Sequence, residues 1–113
     1  MKVAELRPEQ KKIEITLRIE DKGKAREVAS KEGSMHKVCE ALAGDETGCI
    51  YLSLWDEAID AVQKGGYYKI SNAYTSMYKG SLRIGAGKYG KISGTNGSFN
   101  VDTANNMSLK EVF

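Results

Sequence analysis

Apolar and polar residues alternate along residues 11–20, KKIEITLRIE: Ile13, Ile15, Leu17 and Ile19 fall on one side, and Glu14, Thr16 and Arg18 on the other. A period of two describes a strand with one buried face. Residues 21–35 lose that pattern. They are polar, contain Gly23 and Gly33, carry Lys22, Lys24, Arg26 and Lys31, and read as a long loop or irregular ribbon. Residues 36–43 form a second predicted strand. In the turn GDETG at 44–48 the glycines supply permissive dihedrals and Asp45 can bond its own backbone. A third strand covers 49–55, with Ile50, Leu52 and Leu54 facing one way and Tyr51, Ser53 and Trp55 the other.

In residues 56–64, DEAIDAVQK, Ala58, Ile59 and Val62 line one side of a short helix that Asp56 can cap and Gly65-Gly66 can end. A fourth strand is predicted over 66–73, with Tyr68 and Ile70 inward. Residues 74–80 read as a linking loop, and 81–86 as a fifth strand with Leu82 and Ile84 inward. From Asn96 onward the chain is polar and weakly patterned, as expected of a tail lying over the domain. The fold class is therefore all-β: a five-stranded OB-fold barrel with a short helix between strands 3 and 4. An SH3-like barrel is the competing closure for the same strands. One domain is expected over 1–113, its core at about 3–93 and its extended tail at 94–113. A fourth or fifth strand edge is where self-association would occur, so the expected state is a monomer or weak homo-oligomer.

Composition narrows the function without naming it. The chain has 113 residues, 41% hydrophobic and 28% charged, which describes a folded globular domain. A net charge of +2 is too small to argue for nucleic acid by itself, so an electrostatic case must rest on where the charges sit. No apolar run approaches bilayer-spanning length, and residues 1–5 lack a signal segment. No membrane association is expected, and the expected location is cytoplasmic, nucleoid-associated in a prokaryote. Cys39 and Cys49 lack CxxC spacing and have one histidine, His36, to join them, so no metal and no cofactor are expected. Two reduced cysteines in strands are the simpler reading, and a disulfide stays open because its geometry is not in the sequence.

The chemistry lies in the outward residues. Tyr51 and Trp55 point away from the apolar set of their strand, and large wet aromatics there invite a cover. Tyr74 and Tyr78 sit where no core packing needs them, Lys79 follows directly, and Arg83 is outward on the fifth strand. Four aromatics beside cations suit a single strand of nucleic acid, whose bases stack for about 1–3 kcal/mol each while cations meet phosphates. A Trp in a strand is as often a packing residue, and loop cations are commonly just solvated. Tyr67 and Tyr68 read as structural. His36 has no evident partner, and the carboxylates Asp45, Glu46, Asp56, Glu57 and Asp60 are accounted for by a turn and a helix start, so no catalytic set emerges and the chain is not expected to be an enzyme.

GDETG at 44–48, LSLWD at 52–56 and NAYTSMYKG at 72–80, in that order, resemble one family: the simple single-OB single-stranded DNA-binding proteins of archaea and their eukaryotic relatives, the OB subunit of the ssDNA-sensing complex. VAELRP at 3–8 and GKYG at 87–90 resemble it too, and 101–108 does so loosely. The resemblance implies base stacking on Trp55, Tyr74 and Tyr78, with Lys79 and Arg83 serving the backbone and Tyr51, Ser53 and Lys88 counted in the binding set. It implies roles in replication, repair and recombination, with single-stranded DNA and repair or replication proteins as partners. Gly85 departs from it, since some relatives carry an aromatic there; Tyr89 lies nearby in sequence. An RNA-binding OB module and an OB scaffold for protein partners remain alternatives.

Overall fold

In the computed structural model, which describes residues 1–110 except for the side chains of 87–89, the alternation of residues 13–19 becomes β1 (Ile13–Lys22). It is followed by β2 (Arg26–Ala29), β3 (Met35–Asp45), β4 (Gly48–Trp55), helix α1 (Glu57–Ala61), β5 (Tyr67–Tyr78) and β6 (Ser81–Thr95). The strand order is β1-β5-β6-β4-β3-β2, with an additional β1–β3 pairing. β1 pairs with β5 through Arg18 and with β3 from Arg18 onward, a register shift between Ile19 and Asp21 bending it from one partner to the other. That shared strand closes five strands into an OB barrel. The helix stands between the third and fourth barrel strands.

The core is the set the alternation marks: Leu17 and Ile19 from β1, Ile50, Leu52 and Leu54 from β4, Ile70 from β5, and Leu82 and Ile84 from β6. Val3 and Leu6 from a 3-10 turn (Val3–Glu5) also enter it. Cys39 and Cys49 are free and buried, and burial pushes both thiols up. Among the described residues no helix is long and apolar enough to cross a membrane.

Several elements differ from the sequence expectation. The ribbon at 21–35 contains β2, which pairs with β3 from Arg26↔Val38 to Ala29↔Met35 and so forms an arm beside the barrel. β5 meets β1 only as far as Ala73 and β6 meets β4 only over Arg83 to Gly85, so each keeps stretches paired on one side, and β2, paired with β3 alone, adds another edge. The helix is shorter than expected, and Asp56 gives it no side-chain cap because that carboxylate is engaged by β3. β6 runs beyond residue 86: Ser71↔Lys91 and Ala73↔Ala86 are both paired, so β6 carries extra residues between its two halves.

The largest difference concerns residues 74–80. Tyr74 to Tyr78 lie in β5, and the connection to β6 is a two-residue turn, Lys79 (φ 50) and Gly80 (φ 79), between the paired Tyr78 and Ser81. Positive φ at both positions matches the right-handed twist of the flanking strands. A bulge upstream sets the facing of β5. The pairing with β6 shifts between Ser71 and Ala73, and the pairing with β1 between Ile70 and Ala73, around Asn72 at φ 54. The extra residue moves the alternation by one. Ile70 is buried before it, and Ala73 and Thr75 after it, so Tyr74, Ser76 and Tyr78 take the outer face. Thr75 has little apolar character to mark it as inward. Its hydroxyl donates to the Arg7 carbonyl at 2.6 Å and accepts from the Gln10 amide at 2.9 Å.

The 44–48 turn is a latch. Asp45 is 1% exposed and accepts from the amides of Val3 (3.0 Å) and Thr47 (2.8 Å) and from the Thr47 hydroxyl (2.5 Å). A Cβ at Gly44 would lie 2.3 Å from the Gly48 carbonyl oxygen, so a side chain there has no room. The segment after β6 returns to the barrel: Met107 is buried, and Ser108 sits between β4 and β6. Those strands pair in parallel only from Tyr51↔Arg83 to Ser53↔Gly85. Ser108 Oγ accepts from the Tyr51 amide at 2.9 Å and donates to the Leu82 carbonyl, so it extends the seam.

Candidate nucleic-acid interface

The outer face of the barrel carries the residues that alternation sends away from the core. Registers across three strand pairs align Glu40 of β3, Ser53 of β4, Gly85 of β6 and Tyr74 of β5 in one row. The adjacent row holds Leu42, Tyr51, Arg83 and Ser76. Trp55 ends β4 opposite Val38, and Tyr78 ends β5.

A hollow of about 410 Å³ on this face is lined by Ser53, Trp55, Tyr74, Ser76, Tyr78 and Arg83, with Arg26, Val28, Ala29, Val38 and Glu40 from the β2–β3 arm. Trp55 (44% exposed), Tyr74 (37%) and Tyr78 (44%) leave much of their surface open. Three large rings on a solvent-facing sheet add little to the core and offer flat apolar surface to a ligand. Ser53 and Trp55 also line a second hollow, of about 690 Å³, with Ala58, Ala61, Ala86 and Ile92. Trp55 thus stands between two depressions.

Trp55 is held from behind by its neighbour. The Asp56 amide donates to the Lys37 carbonyl at 2.9 Å, and Asp56 Oδ1 accepts from the Lys37 amide at 2.9 Å. Asp56 Oδ2 lies 2.9 Å from His36 Nδ1, so His36, which shows no partner in the sequence, has one in the fold. The Lys37 amide first, and the His36 ring after it, hold the Asp56 carboxyl below the ordinary carboxylate range. The chain leaves β4 at φ 50 on Asp56, tied to β3 at both backbone and side chain.

The cations take different positions. Lys79, at the tip of the β5–β6 turn, is exposed, with Nζ 5.4 Å from the Tyr78 ring centroid. Arg83 is withdrawn into the sheet, its side chain 14% exposed and its Cζ 4.7 Å from the Tyr51 ring centroid and 5.6 Å from that of Tyr78. Its Nη1 lies 2.5 Å from Glu40 Oε1 at an angle that forms no hydrogen bond, and its Nε donates to Ser81 Oγ at 3.1 Å.

Six of the eight residues expected to bind are thus placed: Ser53, Trp55, Tyr74, Tyr78 and Arg83 line one hollow, with Lys79 beside it. Tyr51 lies under Arg83 and lines a neighbouring depression with Lys24 and Arg26. The side chain of Lys88 lies outside the described residues. Arg26, Val28, Glu40 and Ser76 were missed. Arg26 was visible as a cation of the polar ribbon, but pairing of β2 with β3 is what brings it to the hollow. Tyr67 and Tyr68 are structural: Tyr67 packs edge-on against Phe99 at 5.0 Å, and the Tyr68 hydroxyl accepts from the Gln63 amide at 2.7 Å.

Comparison with known proteins points the same way. Residues 6–94 match the family model described as single-stranded DNA binding protein Ssb-like, OB fold. The single-stranded DNA binding protein Ssb of Saccharolobus solfataricus is 35% identical over 92 residues, 81% of this chain and 62% of that protein. The solution structure of a hypothetical protein from Arabidopsis thaliana superposes with a TM-score of 0.82 at 30% identity, covering 96% of this chain and 82% of the other. The second OB-fold domain of replication protein A from Methanococcus maripaludis superposes with a TM-score of 0.70 at 25% identity, covering 88% of this chain and 98% of the domain. The chain spans 62% and 54% of the lengths of two curated relatives it matches.

Proposed function

Because the chain belongs to the Ssb-like, OB-fold family of single-stranded DNA-binding proteins, we propose that it binds unpaired DNA on the outer barrel face, stacking bases on Trp55, Tyr74 and Tyr78 without catalysing a reaction. The observation that carries this reading is the meeting of those three part-exposed rings, from β4 and β5, in one hollow. Each stacked base contributes about 1–3 kcal/mol, so three contribute roughly 3–9 kcal/mol before the cost of ordering the strand. A duplex hides its base faces, and the hollow offers it only the weaker phosphate attraction. Lys79, exposed beside Tyr78, is placed to meet a phosphate. The cellular roles that accompany this activity are replication, repair and recombination, with proteins of those processes as partners.

The test uses the one tryptophan in the chain. A short mixed-sequence single strand should quench Trp55 fluorescence, and the duplex at the same salt should not. Trp55→Ala should weaken binding by about 1–3 kcal/mol and leave the melting temperature nearly unchanged, because an exposed ring adds little to the core. Absence of quenching by the single strand would overturn the stacking reading. Tighter binding of a matched RNA would move the assignment to RNA.

A further inference from the structure

The side chain placed to meet the DNA backbone by position alone, Arg83, is built into the sheet. Its guanidinium lies near two tyrosine rings, 4.7 Å from Tyr51 and 5.6 Å from Tyr78, with Glu40 Oε1 2.5 Å from Nη1 and Ser81 Oγ 3.1 Å from Nε. Four neighbours hold it, three from other strands and Ser81 from its own, and its side chain is 14% exposed. A phosphate arriving there would have to displace the Glu40 carboxylate or share the cation with it, two anions against one charge.

We infer that Arg83 is a positioning residue: it props the Tyr78 ring for stacking, and the phosphates of the strand are held elsewhere. The inference rests on the stacking reading above and assigns one side chain a role within it. Tyr78 is the last residue of β5, next to a two-residue turn, and is 44% exposed, so little core packing restrains its ring. The Arg83 cation beside that ring supplies a restraint, worth more where the cation is partly desolvated than at an open surface. Tyr51 packs on Arg83 from β4 and Glu40 neutralises it from β3, so both act on Tyr78 through Arg83. Charge needed at the strand backbone falls to exposed residues of the rim, Lys79 and Arg26.

The experiment is a set of binding isotherms at several salt concentrations, with a short single-stranded oligonucleotide and the full chain. The parent is compared with Arg83→Met, Arg83→Lys, Tyr78→Ala and the Tyr78→Ala/Arg83→Met pair. Arg83→Met should weaken binding by about 2- to 30-fold, the range that a cation beside an aromatic ring supplies. The slope of log K against log salt should stay that of the parent. In the Tyr78→Ala background the same substitution should cost less than about twofold, because its effect passes through that ring. Two results would overturn the inference. One is a slope shallower by about 0.7 in Arg83→Met while Arg83→Lys keeps the parent slope and affinity, the mark of a phosphate contact. The other is an equal loss with and without Tyr78. Should Arg83→Met fail to fold, Arg83→Gln, which removes the charge but keeps a polar side chain, takes its place in the slope and the cycle. A parent that leaves Trp55 unquenched would remove the stacking reading itself, and is distinguishable from either result.

Discussion

Tyr74 and Gly85 face each other across β5 and β6 so closely that a methyl group built on Gly85 would lie 3.4 Å from the Tyr74 hydroxyl oxygen. The other nearby atoms, Cζ and Cε1 of the same ring, would be 3.5 and 3.6 Å away. The ring of Tyr74 therefore occupies space that an aromatic at position 85 would claim.

Gly85→Ala should be nearly silent, since these are tight but ordinary contacts: single-strand affinity within about twofold of the parent is expected. Gly85→Phe should fail to gain the roughly 1–3 kcal/mol of a further stacked base, because the new ring must displace Tyr74. An affinity gain of that size, measured by fluorescence titration, would show two rings side by side and contradict the packing described.

Lys79→Ala should flatten the salt dependence of binding by roughly 0.7 in the log–log slope, the single-strand value for one phosphate. Lys79 sits at φ 50 in a turn that prefers Gly, Asn or Asp, so Lys79→Gly should match it in slope while leaving the turn unstrained. An unchanged slope in both variants would mean the ammonium is merely solvated.

The Asp56 clamp predicts an acid-sensitive Trp55. A carboxyl held below its ordinary range contributes stability that is fully present above the ordinary pKa and is lost as pH falls through the depressed folded value. Trp55 emission should therefore be steady from neutrality down to about pH 4 and change below it. In Asp56→Asn the side-chain oxygen can still accept from Lys37 but has no charge to lose, so this acid step should shrink. An identical acid transition in the variant would assign it to another group.

Ser108 joins the short β4–β6 seam to the segment that follows β6. Ser108→Ala removes the partner of the Tyr51 amide and of the Leu82 carbonyl, and a cost of about 1–3 kcal/mol in denaturant unfolding is expected. Affinity per folded molecule should change little, because the serine lies behind the outer face. A variant as stable as the parent would mean that water replaces the hydroxyl at no cost.

These elements also mark how far the sequence could be read. The barrel strands and the outward Trp55 were legible because Ile50, Leu52 and Leu54 alternate without interruption through β4. Tyr74 and Tyr78 were picked for exposure, but as loop residues, since the bulge at Asn72 breaks the count from Ile70 and Thr75 hides an inward position behind a hydroxyl. Arg83 looked like an ordinary outward cation because the Tyr51 ring and the Glu40 carboxylate come from strands distant in sequence, and Tyr78 joins them only through the β5–β6 hairpin. His36 and Asp56 meet across β3 and β4, twenty positions apart, for the same reason. The segment around Met107 and Ser108 is too short and polar to announce its burial by any period.

The bulge at Asn72 works on β5 as an inserted letter works on a reading frame. Were Asn72 taken into the regular pleat instead, the residue types downstream would stay intact while their sides exchanged: Tyr74, Ser76 and Tyr78 would turn toward the barrel interior, and Ala73 and Thr75 toward solvent. A binding surface of this kind is thus inherited through the spacing between Ile70 and the tyrosines as much as through residue identity. Among relatives, loss of the bulge residue alone should spare the surface, since Ile70 and Ala73 would then stand two apart, whereas a gap of two positions there should turn the tyrosines inward.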